Sequence, residues 1–267
     1  MKIHPTATIE NGAKIGRNVE IGPQAYIGPE VTIGNDCIIG HGCHVTGKTV
    51  LGRNNHLAPH VVLGTAPQDL KYHGQNTELV IGDDNVFREF VTVHIGTTTG
   101  RGVTRVGNRN YFMICSHVGH DCVIEHDVIL VNNVLLGGHC HVEIGAKLMG
   151  GSAFNPFVSI GKQAFVGGLT RVVHDVPPFL IVEGNPARVR AVNEIGLRRA
   201  GYDQNVIDAL WDAYKAIYRT KELNRARTYE QLEDQPEVCP EVIYLIEFLR
   251  RSKQSAHGRY QESLKDR

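Results

Sequence analysis

The chain has 267 residues, and Lys+Arg and Asp+Glu balance at 28 each, so no global charge advertises nucleic acid or an anionic membrane surface. The opening Met1-Lys2-Ile3-His4-Pro5 lacks the apolar stretch of a signal peptide, and no apolar run approaches the roughly 20 residues that span a bilayer. A cytoplasmic protein without stable membrane insertion is expected, and its six cysteines offer neither a Cys-x-x-Cys pair nor a disulfide framework.

In chain order the first signal is a repeat. Every sixth residue from Ile3 onward is aliphatic: Ile9, Ile15, Ile21, Ile27, Ile33, Ile39, Val45, Leu51, Leu57 and Leu63. Glycine follows many of them, and a small or apolar residue stands two places before, as at Ala7, Ala13, Val19, Ala25, Val31, Cys37 and Cys43. A period of six fits neither an amphipathic helix nor an alternating strand, but it fits a parallel β-helix in which each hexad forms one flat face and turns a corner. Three faces make one coil, the aliphatic residues fill the axis, and Cys37 and Cys43 are expected there as small buried thiols.

The pattern breaks after Gly64, across Gln68-Asp69-Leu70-Lys71, resumes at Ile81, Phe87 and Val93, and breaks again from Thr97 to Arg105. Both breaks are places for a binding loop. From Val106 the period runs unbroken through Phe112, Val118, Ile124, Leu130, Leu136, Val142, Leu148, Phe154, Ile160 and Val166 to Val172. Asp175-Val176-Pro177-Pro178 then reads as a turn. Beyond about Gly196 helical spacing takes over, with Val206, Leu210, Ala213, Tyr214, Ile217 and Tyr218 on one face, Asp203 as N-cap, and a second helix over Glu241 to Arg250. The expected fold is mainly β: a parallel β-helix of hexapeptide repeats over 1–190, and a helical domain over 191–267 that caps the open end of the solenoid.

The register also says which side chains point away from the axis. His117, His120, Asp121 and His139 belong to neither inward series. Residues one coil apart stack, which places Gly138 over His120, His139 over Asp121, Asn155 over Gly137 and Pro156 over Gly138. One outer strip therefore offers a base, a carboxylate, a second imidazole and two glycines that expose backbone.

Five stretches carry a resemblance: Ile3-His4-Pro5-Thr6-Ala7, Gln68-Asp69-Leu70-Lys71-Tyr72, Ser116-His117-Val118-Gly119-His120-Asp121-Cys122, Leu136-Gly137-Gly138-His139 and Asp175-Val176-Pro177-Pro178. In their order and spacing they resemble the UDP-N-acetylglucosamine acyltransferases of lipid A biosynthesis. The likeness covers the whole chain, helical tail included. It implies a left-handed solenoid and a homotrimer with sites between neighbouring copies. The implied reaction moves a 3-hydroxyacyl chain from acyl carrier protein to the sugar 3-position of a UDP-amino sugar, with no metal and no bound cofactor.

By the same resemblance His120 is the general base, the Gly138 N–H stabilises the oxyanion, and Asp121 orients a histidine, either His120 or His139. Asp69, Lys71 and His117 are expected at the sugar and His139, Asn193 and Arg199 at the nucleotide, with Gln68 also expected to bind substrate. Gly168 matches a position that helps set acyl-chain length. A basic rim for an acidic carrier protein has Arg198, Lys215, Arg219 and Lys221 as candidates.

Two departures from the family pattern bear on the acceptor. Asn155-Pro156 stands where many members carry His-Gln, and Ala200 follows Arg199 where a second arginine is frequent. The same chemistry on a 3-amino sugar, giving an amide, is therefore a second expectation. Two rivals come from other classes. A zinc enzyme resembling the hexapeptide-repeat carbonic anhydrases would draw ligands from His117, His120, His126, His139 and His141, and a non-catalytic scaffold would keep the solenoid alone.

Overall fold

The computed structural model describes residues 1–220, 225–234, 238–255 and 257–264; Lys221, one of the basic-rim candidates, lies outside the described residues. The six-residue period becomes a prism with three faces. Most hexads contribute a strand of two residues, such as Lys14–Ile15, Glu20–Ile21 or Tyr26–Ile27, and the described strands form parallel sheets of eleven, nine and eight members. Only the last strand of the first sheet, Arg188–Val192, runs antiparallel.

The second residue of each short strand points inward. Ile27, Leu57, Val118, Leu130 and Val142 are fully buried in a single column of apolar side chains. Replacing one axis residue by Ala, for example Leu130→Ala, removes a filled layer and is expected to cost about 2–5 kcal/mol. Cys37 and Cys43 are buried as expected, their thiols donating to the carbonyls of Gly52 and Ala58 at 3.1 Å each. The corners carry residues in the left-handed region, among them Asp36, Asn133 and Asp127 with φ of 61°, 60° and 59°, a conformation that Asn and Asp tolerate better than other side chains.

The two breaks in the period are insertions that leave the coils in register. Regular coils pair residues 18 apart, as Asn18 with Asp36. Across the first break the separation is 30, as between Asn54 and Asp84, and across the second it is 25, as between Asn85 and Asn110. A buried ladder of Asn55, Asn85 and Asn110 bridges these irregular coils: Asn85 Nδ2 donates to Asn55 Oδ1 at 3.0 Å, and Asn110 N–H to Asn85 Oδ1 at 2.9 Å. Each buried amide is thus satisfied where the backbone spacing changes.

The solenoid does not pass straight into helix. Leu180–Glu183 extends the first sheet in parallel, and Arg188–Val192 folds back on it. Helices α1 (Glu194–Arg199), α2 (Gln204–Tyr218), α3 (Arg225–Glu233), α4 (Pro240–Lys253) and α5 (Tyr260–Ser263) follow. The apolar face of α2 (Ile207, Leu210, Ala213, Tyr214, Ile217) joins Leu245 and Ile246 of α4 over Phe179, Leu180 and Val192, forming a second core on that hairpin. Asp203 occupies the N-cap of α2, but its side chain makes no capping hydrogen bond. No helix among the described residues is long and apolar enough to cross a membrane.

Candidate functional site

His120 and Asp121 turn the corner between the second and third sheets, directly after the strand His117–Val118. Gly137, Gly138 and His139 turn the same corner one coil later, after Leu135–Leu136. The stacking read from the sequence is realised: His139 N–H donates to His120 O at 2.8 Å, and Phe157 N–H to Gly138 O at 3.0 Å. A Cβ at Gly138 would lie 2.6 Å from both Cε1 and Nε2 of His120. Only glycine lets the imidazole approach the strip this closely. The Gly138 N–H itself has no hydrogen-bond acceptor among the described residues.

Asp121 makes its hydrogen bond to His120, with His139 farther off. Its Oδ2 lies 2.8 Å from His120 Nδ1 and 3.9 Å from His139 Nε2. The carboxylate is fully buried, although it is off the axis, because the second insertion folds over it. Thr97 donates to it from N–H at 3.1 Å and from Oγ1 at 2.7 Å, and Arg101 N–H donates at 2.8 Å. Gly100 makes that fit possible, since a Cβ there would stand 2.5 Å from the carboxyl carbon. Thr104 Oγ1 accepts the Asp121 N–H at 2.8 Å. Burial alone would raise the carboxyl pKa, but the hydrogen bonds from His120 and Thr97 outweigh it and hold the group below its ordinary value. An ionised Asp121 accepts the Nδ1 proton of neutral His120, which leaves the Nε2 lone pair on the Gly138 side.

In front of this pair, on the face of the second sheet, is a cleft of about 620 Å³ lined by Gln68, Thr92, His94, His117, His120 and Gly138, among others. His117 Nδ1 lies 2.7 Å from Thr92 Oγ1, and its ring meets His94 edge-on at 4.8 Å between centroids. Burial lowers the pKa of His94 to about 4, with His117 and His120 adding to the effect. Burial and then His120 also lower that of His117. Both imidazoles are therefore neutral at physiological pH. His139 is sandwiched at the corner, stacked on Phe157 at 4.2 Å and edge-on to His120 at 4.9 Å.

The other expected site residues do not all converge within one chain. Gln68 reaches the cleft. Asp69 and Lys71 stay in the first inserted loop, where Asp69 Oδ1 accepts the Lys71 N–H at 3.0 Å, and neither lines the cleft. Asn193 and Arg199 border a separate pocket of about 490 Å³ on the first sheet, together with Lys147, Phe165 and Trp211. Asn193 is buried as the N-cap of α1, its Oδ1 accepting from Gly196 N–H at 3.2 Å and its Nδ2 donating to Gln163 O at 2.9 Å. Gly168 is exposed on the corner between the first and second sheets, between Phe165–Val166 and Arg171–Val172, with Gly150 O as its near neighbour. In the basic rim, Arg198 pairs with Glu194 and Lys215 with Asp212, while Arg219 donates to Tyr214.

The histidines of the zinc reading are dispersed. His126 Nδ1 accepts the Asn108 N–H, and His141 Nε2 meets Glu125 on the third sheet. Among the described residues, His120, Asp121 and His139 are the one group of three whose ligand-type atoms lie within 4.8 Å of one another, and the Asp121 oxygens there already accept from Thr97, Arg101 and His120.

Sequence reasoning missed Thr92, His94, Thr97 and Thr104. His94 had a signal: it follows the axis residue Val93, where glycine is the usual occupant of the hexad. Thr97 sits at the first residue of the second break but makes its bonds 24 residues away, beyond the reach of spacing.

Comparisons with known proteins agree with this geometry. The family described as "Bacterial transferase hexapeptide (six repeats)" matches residues 30–65, and "Udp N-acetylglucosamine O-acyltransferase; Domain 2" matches residues 175–258. The acyl-[acyl-carrier-protein]–UDP-N-acetylglucosamine O-acyltransferase of Anaeromyxobacter sp. is 48% identical over 94% of this chain and 97% of its own length. The protein of that name from Sinorhizobium fredii is 43% identical over 93% of this chain and 92% of its own. Among solved structures, the UDP-N-acetylglucosamine acyltransferase of Bacteroides fragilis superposes with a TM-score of 0.89 at 34% identity, covering 92% of this chain and 96% of that one. The Francisella novicida enzyme gives 0.88 at 32% identity, covering 93% and 91%. The chain thus belongs to the acyl-[acyl-carrier-protein]–UDP-N-acetylglucosamine O-acyltransferase family.

Proposed function

We propose that this protein works in the cytoplasm as a homotrimer and transfers a 3-hydroxyacyl chain from acyl carrier protein to the 3-hydroxyl of UDP-N-acetylglucosamine, the first step of lipid A biosynthesis. The observation that carries the mechanism is the buried Asp121 bonded to His120 Nδ1, with His120 Nε2 left beside Gly138 at the cleft.

His120 Nε2 takes the proton of the sugar 3-hydroxyl as the oxygen attacks the thioester carbonyl. The carbonyl oxygen, now negative, lies against the open Gly138 N–H. Asp121 stabilises the imidazolium formed at His120. Collapse of the tetrahedral intermediate breaks the C–S bond, and the imidazolium returns its proton to the leaving thiolate. Ester and free thiol result, with His120 neutral again. His117, neutral and anchored by Thr92, can hydrogen-bond the sugar from the same face, as can Gln68.

On the family resemblance Asp69 and Lys71 are assigned to the sugar, His139, Asn193 and Arg199 to the nucleotide, and Gly168 to the acyl-chain pocket. The trimer reading is supported by their distribution. The His120 cleft is on the second sheet, while Asn193 and Arg199 border a pocket on the first. Two copies packed through these faces would assemble one site from both halves.

Mass spectrometry of the product tests the reading. Purified protein is supplied with 3-hydroxyacyl carrier proteins of several chain lengths and either UDP-N-acetylglucosamine or its 3-amino analogue. The expected result is an ester, lost by about 10²–10⁴-fold in His120→Ala. Amide alone would move the acceptor to the 3-amino sugar, a change the Asn155-Pro156 pair invites because Pro156 lines the cleft without a side-chain donor. No product from either acceptor, with nucleotide still bound, would leave a scaffold.

A further inference from the structure

The loop that grips Asp121 is itself held from outside. Arg101, whose N–H donates to Asp121 Oδ1 at 2.8 Å, directs its guanidinium onto Gln261 Oε1 of α5. Gln261 is buried, and its Nε2 faces His141 Nδ1 at 3.4 Å, while His141 Nε2 meets Glu125 Oε1 at 2.8 Å. One proton arrangement satisfies all of these contacts. Neutral His141 donates from Nε2 to Glu125, its Nδ1 accepts from the Gln261 amide nitrogen, and the amide oxygen is left for Arg101.

Around Gln261 the segment is tied to the last coil of the solenoid. Tyr260 N–H donates to Asp175 Oδ2 at 2.8 Å and Asp175 N–H donates to Gly258 O at 2.8 Å, while within the segment Arg259 Nε donates to Glu262 Oε2 at 3.0 Å. A small cavity of about 240 Å³ separates it from the catalytic corner, lined by Thr99, Arg101, His139, Phe157, Gln261 and Leu264. The segment thus runs beside the His120 strip, anchored at Asp175 at one end and touching the Asp121 loop at the other. The second-domain family match stops at residue 258, short of α5.

We propose that α5 is a positioning strut: Gln261, through Arg101, holds the 97–102 loop down on Asp121 and so fixes the orientation of the His120 ring. The inference rests on His120 being the base of the proposed reaction. Gln261 touches no substrate; it acts through the backbone N–H of Arg101, so a loosened strut lowers turnover rather than substrate affinity.

The test compares Gln261→Ala, Gln261→Glu, Arg101→Ala and the double alanine variant, each first checked for an unchanged trimer and thermal midpoint. In Gln261→Ala, kcat is expected to fall about 10-fold while KM for both substrates stays within about 2-fold, since small misplacements of a catalytic group cost rate before binding. Gln261→Glu keeps an acceptor for Arg101 but sets a carboxylate oxygen against His141 Nδ1, so kcat is expected to recover in part, to a value between Gln261→Ala and the parent. The double variant should be no worse than the poorer single one, because both break the same link. Hydrogen exchange of the 97–102 amides, which needs no substrate, should speed by about 10-fold in Gln261→Ala. Unchanged kcat and unchanged exchange would overturn the strut, as would a rise in KM at constant kcat. A parent protein with no acyl transfer would instead sink the functional reading, and loop exchange would still decide whether α5 holds the loop.

Discussion

His120-Asp121 and His126-Asp127 are the same dipeptide one hexad apart, at two successive corners of one coil. Asp121 and Asp127 even share a left-handed φ of 59°. Yet Asp121 is fully buried, bonded to its own histidine and gripped by Thr97 and Arg101, whereas Asp127 is exposed and forms two hydrogen bonds with Arg109 at 2.8 Å. His126 Nδ1 is occupied by the Asn108 N–H. One coil later Gly138 leaves room over His120, and Ile144 holds the corresponding place in the hexad beyond His126. The repeat supplies the dipeptide twice; an inserted loop and a glycine give only one of them the buried, hydrogen-bonded arrangement on which the proposed acid–base role rests.

The largest effect that would break this contrast is on Asp121. Asp121→Asn keeps the size of the side chain but replaces an acceptor with an amide that no longer holds the His120 Nδ1 proton. The kcat for acyl transfer is expected to fall about 10²–10⁴-fold, in the range of losing general-base function. Asp127→Asn, at the open corner, should leave kcat within about 2-fold. Equal losses in the two variants would mean that the loop cover is not what distinguishes the corners. Gly138→Ala sharpens the same point. Its Cβ would sit 2.6 Å from the imidazole, so the ring must move, and a loss of about 10²-fold in kcat is expected, with a normal melting curve.

Much of this was legible because the repeat is geometric. Axis residues, corners and the stacking of Gly138 over His120 follow from counting by six, and the buried Val118, Ile124 and Leu130 are where the period puts them. Register and stacking single out the strip of His120, Asp121, Gly138 and His139, and likeness to a family then gives each of these residues its expected role. The partner of Asp121 was left open between two histidines because both lie at the same corner, and only side-chain rotation separates 2.8 Å from 3.9 Å. The grip of Thr97 was invisible, since an insertion has no register. The hairpin Leu180–Glu183 with Arg188–Val192 was missed for the same reason: once the six-residue period stops, nothing in the spacing says which strand a segment pairs with.

The covered corner also predicts a pH dependence of stability. His94 is buried behind the cleft, with its pKa depressed to about 4 from an ordinary 6.5. The unfolded chain therefore binds more protons than the folded one between those values. The stability contributed by neutral His94 is complete above about 6.5 and is lost as pH falls toward 4. His117, shifted in the same direction, adds to the slope. Thermal melts of the parent and His94→Gln across this window should show a shallower dependence in the variant. Parallel curves would show that His94 is not the buried neutral group this packing makes it.

The smallest effect belongs to the open corner. Arg109 and Asp127 meet with good geometry, but their side chains are 55% and 44% exposed. In water the attraction of such a pair is screened, and holding two flexible side chains together costs entropy. Asp127→Asn is accordingly expected to change unfolding free energy by less than about 1 kcal/mol, with most of that small effect disappearing in high salt. Its backbone argues the same way: asparagine tolerates the left-handed conformation at this corner as aspartate does, so the substitution introduces no strain. A denaturant titration that showed a loss of several kcal/mol would mean that the open corner is also held by a network.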